Sequence, residues 1–87
     1  MPLSRADTYP RVLNYIWEHN PQSILDCGIG WGGMGVLMRQ VSDIRWGRMK
    51  KEEWEVIIDG IEIDKNYENN NWWVYNKIAL TILPFSF

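Results

Sequence analysis

Apolar residues fall at helical spacing in two stretches of this chain and crowd into short runs in three others. The first helical stretch follows Asp7, Thr8 and Pro10, an N-cap candidate and an early-turn proline, and carries Val12, Leu13, Ile16 and Trp17. It predicts a leading helix over 8–20, ended by Asn20-Pro21. Ser23-Ile24-Leu25-Asp26-Cys27 is a short apolar run that meets a burst of glycines, which reads as a buried strand leading into a tight turn. Met34, Leu37, Met38 and Val41 then recur at i, i+3, i+4 and i+7, so a helix begins directly out of the glycines and completes a strand, turn and helix unit over 23–44.

The segment 45–55 is charged and without period, and reads as an extended loop. After it, Glu55 to Ile63 places apolar residues on both alternating faces, with Val56 and Ile58 on one and Ile57 and Ile61 on the other. That is the pattern of a strand covered on both sides in a parallel sheet. The remainder of 56–83 holds a weak helix from Asn66 to Tyr75, weak because Asn is a poor interior residue, and a third strand from Lys77 to Leu83 closed by Pro84. Alternating strands and helices predict an α/β fold with a parallel sheet. In such sheets the ligand crevice lies beyond the carboxyl ends of the strands. The first two of those ends, Cys27-Gly28 and Glu62-Ile63, meet at one edge.

With 87 residues the chain is a single domain, 1–87, with a thin core. Its 46% hydrophobic and 23% charged residues and formal net charge of -2 describe a globular protein, neither disordered nor a whole-surface nucleic-acid binder. One cysteine, Cys27, leaves no intrachain disulfide, and with a single histidine, His19, it cannot supply a structural zinc site. There is no signal-peptide core and no window near the ~20 apolar residues of a membrane span, so a cytoplasmic setting without a membrane partner is expected.

The chemistry concentrates at Asp26-Cys27-Gly28-Ile29-Gly30-Trp31-Gly32-Gly33. Gly28, Gly30 and Gly33 satisfy G-x-G-x-x-G between a strand and a helix. The first glycine lets the chain turn sharply, the second clears the backbone for a ligand, and the third lets helix and strand pack closely. The helix start beyond offers free N–H groups to an anionic or strongly polar ligand group. Glu62, ending the next strand, stands where an acid accepts hydrogen bonds from ribose hydroxyls. An NAD-type dinucleotide binder fits the same spacing. Glu62 lies further from Gly28 than the ~20 positions of a compact dinucleotide unit, which makes 45–55 an insertion.

These residues resemble a family. Ser23-Ile24-Leu25-Asp26-Cys27-Gly28-Ile29-Gly30-Trp31-Gly32 is similar to the first motif of class I S-adenosylmethionine-dependent methyltransferases, D-x-G-x-G-x-G after an apolar strand, and Gly60-Ile61-Glu62-Ile63 to their second. The resemblance covers about Tyr9 to Leu83 and implies a partial Rossmann-like methyltransferase fold, a short parallel sheet of about three strands flanked by helices. It implies that Asp26, Cys27, Gly28, Ile29, Gly30 and Gly32 surround the amino acid part of S-adenosylmethionine or S-adenosylhomocysteine. By the same resemblance Glu62 holds the ribose and Ile63 touches the adenine. The family's acidic or polar residue after the third strand has only Thr81 as a counterpart, and its later motif, which carries catalysis, has none. The expectation is therefore the cofactor-binding portion of a truncated methyltransferase, with no catalytic residues of its own. A rival expectation is an assembly module whose open first strand pairs with another copy or a partner chain.

The other candidates have plainer readings. Asp26 can cap the turn through its own side chain. Cys27 has no second catalytic group beside it and reads as a small residue in the turn. His19 reads as a helix C-terminal or exposed residue. Arg39, Arg45, Arg48, Lys50 and Lys51 with Trp46 are spaced to grip phosphates and stack a base, so nucleic acid is an open but disfavoured partner. A solvated loop screened by Glu52, Glu53 and Glu55 is preferred. Trp72, Trp73 and Tyr75 either rim an adenine pocket or, the preferred reading, pack a helix onto the sheet.

Overall fold

A computed structural model of the chain describes residues 8–81. They form a small α/β unit with a three-stranded parallel sheet and two α-helices. Helix α1, Tyr9–His19, has Pro10 in its first turn. It stops at Asn20, which enters the left-handed region (φ 47°) and donates its N–H to the Ile16 carbonyl. Thr8 flanks its start without a side-chain cap bond, and Asp7 lies outside the described residues. His19 stacks on Tyr15 and meets the Tyr15 carbonyl 2.9 Å away, an exposed helix-end role. Strand β1, Ser23–Cys27, and helix α2, Gly33–Ser42, fall where the periodicity places them.

Strands β2, Ile57–Glu62, and β3, Lys77–Leu80, complete the sheet in the order β1-β2-β3. The Ile82 and Leu83 part of the expected third strand, with Pro84, lies outside the described residues. Register pairs Ile24 with Ile58 and Gly60 with Ile78, so these residues share one face. On that face sits the buried core: Ile16 from α1, Met34 and Met38 from α2, Ile29, Ile58, Trp72 and Tyr75. The expectation of a strand covered on both sides holds for this face alone. On the opposite face Leu25 and Ile57 are 46% and 49% exposed, and only Ile61, beside the glycine turn, is buried. Both described helices contribute to the same core, which leaves the other face uncovered among the described residues.

Two further expectations are corrected. The 45–55 segment is not extended but holds two short 3-10 turns, Ile44–Trp46 and Lys51–Glu53, the second closed by a capping box between Lys50 and Glu53. The weak helix of 66–75 is instead two 3-10 turns, Lys65–Tyr67 and Asn70–Val74. Each begins where a side chain takes the backbone away from the helical pattern: Asp64 accepts from the Asn66 N–H and Asn69 from the Asn71 N–H. Short Asp and Asn side chains compete for backbone N–H groups in this way.

The basic segment also resolves differently from a phosphate grip. Arg39 is 1% exposed and points into the body of the protein. Its guanidinium donates to Asp43 (2.7 Å) and to the carbonyls of Val56 (2.6 Å) and Val74 (2.8 Å). It also donates to Asn76 Oδ1 (2.9 Å), and it lies 4.2 Å above the Trp54 ring. Asp43 is fully buried and also accepts from Arg48 Nε (2.6 Å) and the Glu55 N–H (2.9 Å). Arg45 stacks between Trp17 and Trp46 and donates to Asn20, and Lys51 donates to the Trp73 carbonyl. Solvated-loop chemistry describes Lys50, Glu52, Glu53 and Glu55, whereas the arginines are structural. Through Arg39 and Asn76, which accepts from the Ile58 N–H and donates its own backbone N–H to the Ile58 carbonyl, the end of α2 is tied to the start of both later strands.

Burial pushes the Asp43 carboxyl up. The Glu55 N–H, Arg48 and Arg39 together more than reverse this, leaving it below its ordinary value of 3.8. A depressed folded-state pKa stabilises the fold above 3.8 and loses that contribution as the pH falls through the depressed value. Asp43→Ala leaves Arg39 buried and unpaired, and a urea melt is expected to show a loss of about 3–5 kcal/mol. In Asp43→Asn the part of the acid-induced destabilisation owed to this residue should vanish. A variant melting like the parent at neutral pH would contradict the assigned role.

Candidate functional site

The glycine turn joins β1 to α2 with Gly28, Gly30 and Gly32 at φ 84°, 56° and 85°, a region that other residues enter only with strain. Four sets of contacts hold it. Beneath, the N–H groups of Gly28 (2.8 Å) and Ile29 (3.1 Å) both donate to the Ile61 carbonyl. From the side, Glu62 Oε1 accepts from the Gly30 N–H at 2.7 Å, while Oε2 accepts from the N–H groups of Ile63 and Asp64, each at 3.0 Å. Above, Trp72 Nε1 donates to the Gly30 carbonyl (2.9 Å). Asn69 (3.0 Å) and Asn71 (3.2 Å) both donate to the Trp31 carbonyl. The turn and the acid are therefore one hydrogen-bonded unit across 32 residues of sequence.

Glycines away from the turn matter for a different reason. A β-carbon at Gly60 would lie 2.3 Å from the end of the Ile29 side chain, so that bare position is the seat on which Ile29 is buried. A β-carbon at Gly35 would lie 2.4 Å from the Tyr75 hydroxyl. The missing side chain lets Tyr75 reach across α2 and donate to Asp26 Oδ2 at 2.6 Å. Asp26 thus spends one oxygen on Tyr75, not on capping its own turn. Burial raises the Asp26 carboxyl above 3.8; the Tyr75 hydrogen bond opposes this and the nearby Glu62 charge adds to it. Burial, followed by the Asp26 charge and hydrogen bond, pushes the Tyr75 phenol far up, so it stays a donor at any working pH.

A cleft of about 370 Å³ opens beside the turn, lined by Gly28, Ile61, Glu62, Ile63, Asp64 and Tyr67. Of the residues expected at the site, Gly28, Glu62 and Ile63 border it, and Ile63 is 69% exposed there. Asp26 lies under the turn on Tyr75, Ile29 is core, Gly30 is buried, and Gly32 stands at the start of α2 packed against Asn71. Cys27 is exposed with a free thiol. Asp64 and Tyr67, absent from the sequence reading, line the cleft, and the Tyr67 ring meets Trp31 edge-on at 5.0 Å. A signal was present for the first, since an Asp two places beyond the acid at a strand end opens a turn. Nothing local marks Tyr67. Among the described residues no cluster of His, Cys, Asp or Glu could hold a metal ion.

The lining is carboxylate-rich. Glu62 and Asp64 border the cleft, Asp26 lies behind it, and no Lys or Arg lines it. Of two other surface hollows, one bordered by Trp46, Arg48 and Ile57 lies apart from the turn, and one bordered by Asn69, Trp72 and Trp73 lies behind the residues that hold it. Comparison with known proteins returns no matching family model, no matching curated protein and no matching solved structure.

Ala at position 35 tests the close approach. Inside a helix Gly→Ala ordinarily stabilises by up to about 1 kcal/mol. Here the added carbon displaces Tyr75, and a thermal melt of Gly35→Ala is expected to show a net loss of about 1–3 kcal/mol. A variant as stable as the parent or more so would disprove the tight Tyr75 seat.

Proposed function

We propose that the chain binds S-adenosylmethionine at the cleft beside the glycine turn, as the cofactor-binding portion of a Rossmann-like methyltransferase. The observation that supports this reading over a dinucleotide is the sign of the charge. A pyrophosphate set against Glu62 and Asp64 with no basic side chain in the lining meets repulsion, whereas a sulfonium and an ammonium meet attraction. The volume suits a small ligand, at the lower end of the roughly 300–1,000 Å³ of such sites.

The roles follow from the contacts. An ionised carboxylate has about four acceptor positions. The N–H groups of Gly30, Ile63 and Asp64 occupy three on Glu62, which leaves room for one ribose hydroxyl without disturbing the turn. Ile63, exposed at the rim, offers an apolar surface to the base, and Tyr67 offers an aromatic one. When bound, the sulfonium supplies an electrophilic methyl group, and the chain's own part is to hold and orient it. No residue of the site is cast as a general base or nucleophile, so binding without methyl transfer is the activity proposed for the chain by itself.

Isothermal titration with S-adenosylmethionine, S-adenosylhomocysteine and NAD tests the reading. The cofactor is expected to bind tighter than its thioether product, which lacks the sulfonium charge, the preference should shrink with added salt, and NAD should give no heat. Glu62→Gln puts a donor amide against backbone donors and should weaken binding by about 1–3 kcal/mol. Circular dichroism would confirm that the variant remains folded. Absence of heat from S-adenosylmethionine at millimolar ligand, or equal binding by the Gln variant, would overturn the proposal.

A further inference from the structure

We infer that the free edge of β1 is a self-association surface, on which a second copy of this chain pairs its own β1 antiparallel about a two-fold axis through Leu25. Among the described residues β1 hydrogen-bonds only to β2, leaving its outer row of backbone groups without a strand partner. An exposed strand edge is normally guarded by Lys, Pro or an inward-pointing charge. β3, the other edge, opens with the exposed Lys77. β1 contains neither Lys nor Pro, and its one charged side chain, Asp26, though it points inward, is already partnered by the Tyr75 hydroxyl and sets no unpaired charge at the edge. Leu25 is 46% exposed and Cys27 is exposed, so the side chains beside the edge leave it approachable.

The side-chain sequence selects both the partner and the register. With the axis at Leu25, Ser23 faces Cys27 of the other copy, Ile24 faces Asp26, and Leu25 faces Leu25, so no like charges oppose each other. Moving the axis to Asp26 would set two carboxylates directly opposite. Moving it to Ile24 would bring Pro21, which lacks an N–H, into the ladder opposite Cys27. Strand β1 is thus self-complementary in one register. The formal net charge of -2 imposes little repulsion between copies. The product is a closed dimer with a continuous six-stranded mixed sheet and the two Leu25 side chains side by side on its uncovered face. It does not depend on cofactor binding.

Light scattering across a concentration series, with the full chain under reducing conditions, is the first measurement, and a mass rising from one copy to two and no further is expected. Leu25→Lys should return the protein to one copy with its circular dichroism unchanged. Ser23→Cys places the introduced thiol opposite the native Cys27 of the other copy. Mild oxidation should then trap a covalent dimer on a non-reducing gel, while the parent chain, whose Cys27 residues are far apart in this register, should not be trapped. A single-copy mass at every concentration up to roughly millimolar would overturn the inference, as it would if β1 instead received a different protein. So would a mass growing without limit, or a dimer that Ser23→Cys does not trap.

Discussion

The buried pair between Arg39 and Asp43 is the constraint on which the rest of the chain depends. A body of this size removes only about two-thirds of its unfolded surface from water, and its core is correspondingly thin. The parallel sheet needs long crossovers whose ends must be held in place. Arg39 does that at one point, bonding the carbonyls that precede β2 and β3 together with the Asn76 side chain just before β3. Desolvating two charges is expensive, and the expense is offset here because nearly every donor and acceptor of the pair has a second partner. An apolar replacement would fill the space but would not hold backbone carbonyls from two crossovers at fixed distances.

That anchoring at one end of the sheet leaves the other end free for chemistry. At the carboxyl ends of β1 and β2 the turn is rigid for reasons unrelated to any ligand: the Ile61 carbonyl, the Glu62 carboxylate, the Trp72 indole and two Asn side chains each hold a backbone group of it. A site whose shape is already set costs less entropy to occupy. Glu62 has a double part, bracing the turn through the Gly30 N–H and its own strand end through the Ile63 and Asp64 N–H groups, and facing the cleft with what remains.

What the sequence made legible was local. The strand, turn and helix over 23–42 could be read because period, glycines and apolar runs all agree within a few residues, and the strand ending in Glu62 could be read from its apolar alternation. The parallel sense of the strands follows from the alternation of elements. What escaped were pairings across long stretches of chain: Arg39 with Val74 and Asn76, Tyr75 with Asp26, Asn69 and Asn71 with Trp31. Arg39 looked like the first of five basic residues in a charged segment because nothing in its neighbourhood marks it as buried. The run Asn69-Asn70-Asn71 looked like a poor helix when its side chains were the feature that mattered. Single-sided cover of the sheet was invisible for a related reason. Ile57 and Ile61 are as apolar as Ile58, and composition does not say which face a helix will occupy.

The hollow at Gly60 has a consequence beyond packing. Parallel strands with apolar residues on both faces are poorly protected against sliding, because a shift by one residue exchanges one set of isoleucines for another with little loss of burial. In β2, Ile57, Ile58 and Ile61 are of this interchangeable kind. Gly60 breaks the degeneracy. Ile29 fits only against a position without a β-carbon, and a slip in either direction would bring Asp59 or Ile61 beneath it. The absent side chain therefore works as a key that admits a single alignment of the sheet. Since Glu62 is counted from the same strand, that key also fixes which carboxylate arrives at the turn.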